Sequence, residues 1–216
     1  MKLQKRVACA ALLAAVLGGA LSGCVALVGG GAAMAGMSAI DRRTTGTQVE
    51  DQGIELRSGN RIAETMGDKA RVEVTSYNRQ VLLTGQAGNA TDKQTIERLV
   101  REQPTVRNVY NEIEVAPFTA TLGQRSKDTM ITGQVKASLV NAKDISASAI
   151  KVVTENNVVY LMGIVTPREA KRAAEIARGV NDVSKVVRLF EVVSEEELAA
   201  MQPKSAPVTQ DGSDAN

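Results

Sequence analysis

The feature that most constrains this chain is that it repeats itself. Asp51 and Ile54 recur as Asp128 and Ile131, 77 residues later. Val72-Glu73-Val74 recurs as Ile150-Lys151-Val152, and Val81-Leu82-Leu83-Thr84-Gly85 as Val159-Tyr160-Leu161-Met162-Gly163, both 78 residues later. Leu99, Val106 and Val109 return as Ile176, Val183 and Val186, at 77 again. The offset slips by one residue before the first strand and back by one after Gly85 and Gly163, in connections where a change of length costs little. Similarity held in register through every apolar segment means two copies of one unit.

Each copy reads in the same order. A helix comes first, over 51–65 and 127–140. A short strand (71–76; 150–154), a polar turn and a second strand ending at Gly85 or Gly163 make a hairpin, from their alternation and turn residues. A second helix begins at Thr91-Asp92-Lys93-Gln94 or Thr166-Pro167-Arg168-Glu169, both with the spacing of a capping box, the latter with Pro167 at the favoured first position. A last strand covers 107–115 or 183–193. The order α-β-β-α-β gives an α+β fold of two tandem domains. Each is expected to be a two-layer sandwich, a three-stranded sheet with both helices on one face. The copies span 47–115 and 127–193, joined by a linker over 116–126. Residues 194–216 read as a disordered tail, with Glu195-Glu196-Glu197 able to cap a short helical end.

Composition narrows what these domains can do. Aromatics make up 2% and Trp is absent, so the cores are built from Val, Ile, Leu, Ala and Met. There is no histidine, which removes the commonest general base and metal ligand together. No phosphate loop or metal-spaced cluster is present. Gly29-Gly30-Gly31 follows no strand and lacks a Gly-Lys-Ser/Thr ending. Glu112 and Glu114 share a strand face, which reads as solvated surface. The expectation is no catalytic residue, no metal, no cofactor and no small-molecule substrate.

The N-terminus carries Lys2, Lys5 and Arg6, then an apolar run from Val7 to Ala20, then Leu21-Ser22-Gly23-Cys24. This is a secretory signal, too short and wrongly flanked to span a bilayer. Its ending resembles the bacterial lipoprotein signal, or lipobox. That resemblance implies cleavage of residues 1–23 and a covalent diacylglycerol and acyl chain on Cys24. Several chains hold a protein to a membrane where one does so only marginally. Residues 24–46 then read as a lipidated flexible tether. The same resemblance to known lipoproteins, in which an aspartate after the cysteine favours inner-membrane retention, implies from Val25 the outer membrane. Without the signal, 23 basic residues face 24 acidic ones, so the precursor's basic balance is no argument for nucleic acid.

The two glycine-ended strands, with the Gly179-Val180-Asn181-Asp182-Val183 turn, resemble the BON domain, a bacterial module of periplasmic and outer-membrane proteins. Copy one departs at that turn, with Glu102-Gln103-Pro104-Thr105-Val106. A lipobox followed by two such copies implies an outer-membrane lipoprotein on the periplasmic face that binds anionic phospholipid through copy two. It also implies a role in envelope integrity and a link to outer-membrane protein assembly.

The residues themselves also favour copy two. At about 100° per residue, Ile131, Val135 and Leu139 form a core stripe on its first helix. Met130, Gly133, Ala137 and Val140 form a second apolar stripe turned away from that core. Lys136 flanks it, and Lys127 and Lys143 lie near its ends. An apolar seam beside lysines suits the headgroup boundary of an anionic bilayer. In copy one the matching positions are Gly53, Leu56, Asn60 and Ala63, a broken stripe. Residues 125–193 carry 11 basic and 7 acidic groups, whereas 47–115 carry 9 and 11. The alternative for the ridge is a seam against copy one. The alternative function is an adaptor that binds outer-membrane assembly machinery or peptidoglycan through copy one and its open sheet face, for instance Tyr77, Tyr110 and Glu112.

Overall fold

The computed structural model describes residues 41–116 and 122–201. Copy one runs α1 (Thr45–Met66), β1 (Ala70–Tyr77), β2 (Gln80–Ala87), α2 (Ala90–Arg101), β3 (Asn108–Asn111) and β4 (Glu114–Val115). Copy two runs α3 (Leu122–Asn141), β5 (Ile150–Glu155), β6 (Val158–Val165), α4 (Pro167–Arg178) and β7 (Lys185–Val192), followed by α5 (Glu195–Met201). In each sheet the second strand is central, antiparallel to the first and parallel to the last. In copy one the expected single last strand is broken, β3 and β4 continuing one row along β2.

Two devices fix each hairpin. Asn78 and Arg79 have φ of 51° and 63°, and Asn156 and Asn157 have 48° and 64°. These are two-residue turns with both centres left-handed, which match the twist of the flanking strands. The repeated aspartate of each first helix holds its turn. Asp51 accepts from the backbone N–H of Asn78 (2.8 Å) and Arg79 (2.7 Å), and Asp128 from Asn156 (3.1 Å) and Asn157 (2.9 Å). The repeated glycines mark close strand approach. A Cβ on Gly85 would lie 2.1 Å from the Arg71 carbonyl oxygen, and one on Gly163 2.4 Å from that of Ala149.

Helices α1 and α2 pack Ile54, Ile62, Met66, Ile96 and Val100 on one face of their sheet, against Val81, Leu83 and Val109. Copy two does the same with Ile131, Val135, Leu139, Ala173 and Ala177 over Val159 and Leu161. The opposite sheet faces pack on each other, joining Tyr77 and Leu82 of copy one to Tyr160, Met162, Ile164 and Leu189 of copy two. The described body is therefore four layers, helix, sheet, sheet, helix. Burying side chains of this size contributes about 1.5–3 kcal/mol each, so the copies form one body.

Several expectations are corrected. Helix α1 starts at Thr45 because Thr44 caps it, its hydroxyl accepting from the Thr47 N–H. Residues 41–46 thus belong to the folded body, not to the tether. Helix α3 starts at Leu122, inside the expected linker. The first residue of α2 is Ala90, capped by Asn89 rather than Thr91, whereas Thr166 and Glu169 do form the capping box of α4. Residues 195–201 of the expected tail are helical. Ser194 and Glu197 exchange capping hydrogen bonds there, and Leu198 closes the inter-sheet core. The remainder of the expected tether (24–40), linker (117–121) and tail (202–216) lies outside the described residues.

Candidate lipid-contact ridge

The first helix of copy two presents two faces. Ile131, Val135 and Leu139 are buried in its core. Met130 and Val140 are 58% and 70% exposed, and Gly133, Lys136 and Ala137 beside them are exposed as well. All five point away from the sheet, into the outermost layer. The surface that faces copy one is the sheet, so the ridge is not the seam between copies. Lys143 is exposed two residues beyond the end of α3. Lys127 is only partly exposed and lies 3.3 Å from Asp182. Cys24 lies outside the described residues.

The cations of this surface differ from those of copy one. Among the described residues, Lys136 and Lys143 form no ion pair. On α1, Arg57 pairs with Glu50 at 2.8 Å, and Arg61 approaches Glu102 at 3.7 Å. An unpaired lysine can meet a phosphate without first losing a carboxylate. A paired arginine offers little net attraction.

Copy one also carries an outward apolar pair that the sequence reading missed in part. Val49 and Leu56 are 63% and 66% exposed on α1. Val49 escapes a helix begun at Asp51, and Thr44 as N-cap was the signal that would have included it.

The expected open face of copy one is not open. The Tyr77 side chain is buried in the inter-sheet layer, its hydroxyl donating to the Ala149 carbonyl at 3.2 Å. Burial, then the nearby Asp41 charge, pushes its pKa up to about 12. Tyr110 packs on the same core, and Glu112 accepts from the Tyr160 hydroxyl at 3.5 Å. Tyr77 is buried and Tyr110 and Glu112 are half-buried at the joint between the copies, so this sheet face is not the open one expected.

Comparison with known proteins agrees with the repeat. The BON domain model matches residues 50–117 and 127–194. The chain belongs to the BON family. Its two BON domains correspond to the two copies, and the aspartate and glycine devices described above recur in both. The chain is similar to the Outer membrane lipoprotein DolP of Haemophilus influenzae, 41% identical over 172 residues, covering 79% of this chain and 89% of that protein. It is also similar to a 21 kDa hemolysin of Actinobacillus pleuropneumoniae, 35% identical over 156 residues, covering 71% and 80%. Among solved structures, CdsD of the Chlamydia trachomatis type III secretion system matches at 13% identity with a TM-score of 0.29, covering 74% of this chain and 99% of that one, a likeness too slight to use. No described helix is long and apolar enough to cross a membrane.

Proposed function

We propose that this chain is a non-enzymatic outer-membrane lipoprotein, acylated on Cys24, that lies on the periplasmic face and supports envelope integrity. Its second BON domain rests the outward ridge of α3 on anionic phospholipid. Met130 and Val140 enter the headgroup boundary, Gly133 and Ala137 let the helix lie close, and Lys136 and Lys143 meet phosphates. The observation that carries this reading is the pairing of exposed apolar side chains with lysines that no described carboxylate neutralises. Each surface lysine near an anionic bilayer contributes about 1 kcal/mol. Alone that gives a weak, reversible contact, which an acylated tether makes sufficient by holding the ridge near the surface. The similarity to an outer-membrane lipoprotein supports the location.

The test is sedimentation of the mature chain, with Cys24→Ser, on vesicles of phosphatidylglycerol and phosphatidylcholine. Met130→Glu and Val140→Glu should each abolish binding to the anionic vesicles while the melting curve stays unchanged. Undiminished binding by both variants would refute the ridge.

A second reading, an adaptor for outer-membrane assembly proteins or peptidoglycan, draws on Val49 and Leu56, exposed on the opposite outer layer. A bound partner that Leu56→Glu releases and Val140→Glu does not would favour it.

A further inference from the structure

We propose that the free edge of β5 takes an extended segment of a partner polypeptide, which pairs its backbone with Thr154 and sets a lysine or arginine between Glu73 and Glu155. This surface is separate from the ridge of α3 and does not require the ridge to meet lipid.

The repeat lets one end of the joint be compared with the other. Two-residue turns make Tyr77–Gln80 and Glu155–Val158 the first hydrogen-bonded pairs of their hairpins. The alternate residues of β1 and β5 therefore turn their N–H and C=O groups away from the neighbouring strand. Ser76 on β1 is one of these, and Thr154 on β5 is its equivalent. At Ser76 the edge is closed. Glu55 of α1 accepts from the Ser76 N–H at 2.7 Å, and Lys151 donates to the Ser76 carbonyl at 3.1 Å. Lys151 also donates to Glu55, at 2.8 Å. Both backbone groups are satisfied, and no further strand can add there.

The other end has the same positions and the wrong residues for closure. The repeat carries Glu55 to Thr132, Ser76 to Thr154, and Lys151 back to Glu73. A hydroxyl stands where the closing acid should be, and an acid where the lysine should be. Thr132 spends its hydroxyl on the Thr154 side chain, donating at 2.7 Å. Among the described residues, Glu73 forms no ion pair or hydrogen bond, and nothing bonds the Thr154 N–H or carbonyl. Val152, two residues earlier, turns its backbone to the same edge. An unblocked edge of this kind is a template for an added strand.

Room and charge fix the occupant. The open end lies in a groove of about 770 Å³, lined by residues 71–75 of β1, 151–155 of β5 and the N-terminal half of α3. Five extended residues span about 17 Å. Glu155 is half-buried there and pairs with no cation among the described residues. Burial, then the charges of Asp128, Glu73 and Glu114, hold its carboxyl above the ordinary 4.5, and Arg125 offsets them only in part. Asp128 is committed to the β5–β6 turn and Lys151 to Glu55. An entering cation would do at Thr154 what Lys151 does at Ser76, meeting a carboxylate and the edge carbonyl together. An acidic segment would meet like charge. Only an extended backbone also offers N–H and C=O groups at strand spacing, which is why the partner is a polypeptide.

The test uses the mature chain with Cys24→Ser and a short capped peptide of alternating valine and threonine around a central lysine. Amide hydrogen exchange is followed residue by residue by NMR. In the free protein the Ser76 N–H should be protected and the Thr154 N–H open. Saturating peptide should slow exchange at Thr154 by about tenfold or more and leave Ser76 unchanged. The same peptide with glutamate for lysine should bind roughly tenfold more weakly. Thr132→Glu combined with Glu73→Lys rebuilds at Thr154 the closure seen at Ser76. It should abolish binding of the lysine peptide and protect Thr154 without peptide, in a protein that melts no earlier than its parent. Glu73→Lys alone, at an exposed position, should weaken binding about tenfold. Thr154 exchange unmoved by the lysine peptide, equal affinity for the two peptides, or undiminished binding by Glu73→Lys overturns the proposal. So does a chain that is dimeric through this edge and monomeric in the double variant, which gives the groove to a second copy.

Discussion

Arg42 and Glu169 lie 127 residues apart in sequence and meet through two hydrogen bonds of 2.7 Å. The pair is nearly buried, so each group depends on the other. Arg42→Ala should destabilise the protein by about 2–3 kcal/mol, less than a fully orphaned buried charge costs, because Glu169 keeps backbone donors. Urea unfolding of both proteins at neutral pH checks this.

The same pair has an acid limb. Burial works to raise the Glu169 carboxyl, but the hydrogen bonds from Arg42 and Thr166 and the Arg42 charge outweigh it and hold it below its ordinary value of 4.5. A carboxyl whose folded value is depressed contributes stability that is present above its unfolded value and lost as pH falls through the folded one. The stability gap between wild type and Arg42→Ala should therefore be full at pH 6 to 7 and narrow progressively below about 4.5. A gap that is constant down to pH 3 would contradict it.

The two turn-holding aspartates should differ in weight. Asp51 serves two turn N–H groups, the Ser76 hydroxyl and Arg43. Asp128 serves two turn N–H groups and Gln124, without a cation. Asp51→Ala should cost about 3–5 kcal/mol and Asp128→Ala about 2–3 kcal/mol, in melts of the single variants. Equal losses would mean that Arg43 adds nothing to the first.

Much of this architecture was legible in the sequence, because two copies test each other. A pattern met at Asp51, Gly85 and Val109 and again at Asp128, Gly163 and Val186 reveals its elements without knowledge of contacts. The joint between the copies was not read, although one signal for it was present. Val158 to Val165 has no polar residue at all, and a strand without alternation is buried on both faces. A two-layer reading exposes Tyr160, Met162 and Ile164, which the second sheet in fact covers. The Arg42–Glu169 pair could not be read, since no local pattern links residue 42 to residue 169. The ridge was legible because a helix that buries Ile131, Val135 and Leu139 must turn Met130 and Val140 outward.

The joint predicts its own failure. Leu82→Asp places an unpaired charge in the inter-sheet layer, facing a core that includes Met162 and Tyr160. Proteolysis in the 117–121 segment should accelerate at least tenfold, while each domain keeps its own helix-side core. A protease-resistant Leu82→Asp protein would contradict the four-layer account.

The lysines set the salt response. Lys136→Gln and Lys143→Gln should each weaken binding to phosphatidylglycerol vesicles about fivefold at low salt. Lys127→Gln should do less, because Asp182 already engages it. The differences should shrink at high ionic strength.

The most direct measurement uses the missing tryptophan. Val140→Trp and, separately, Leu56→Trp place one fluorophore on the outer helix of either domain. On addition of phosphatidylglycerol vesicles, emission from position 140 should shift to the blue and that from position 56 should stay. An unshifted spectrum at 140, or an equal shift at both, would contradict the claim that α3 is the helix that meets the membrane.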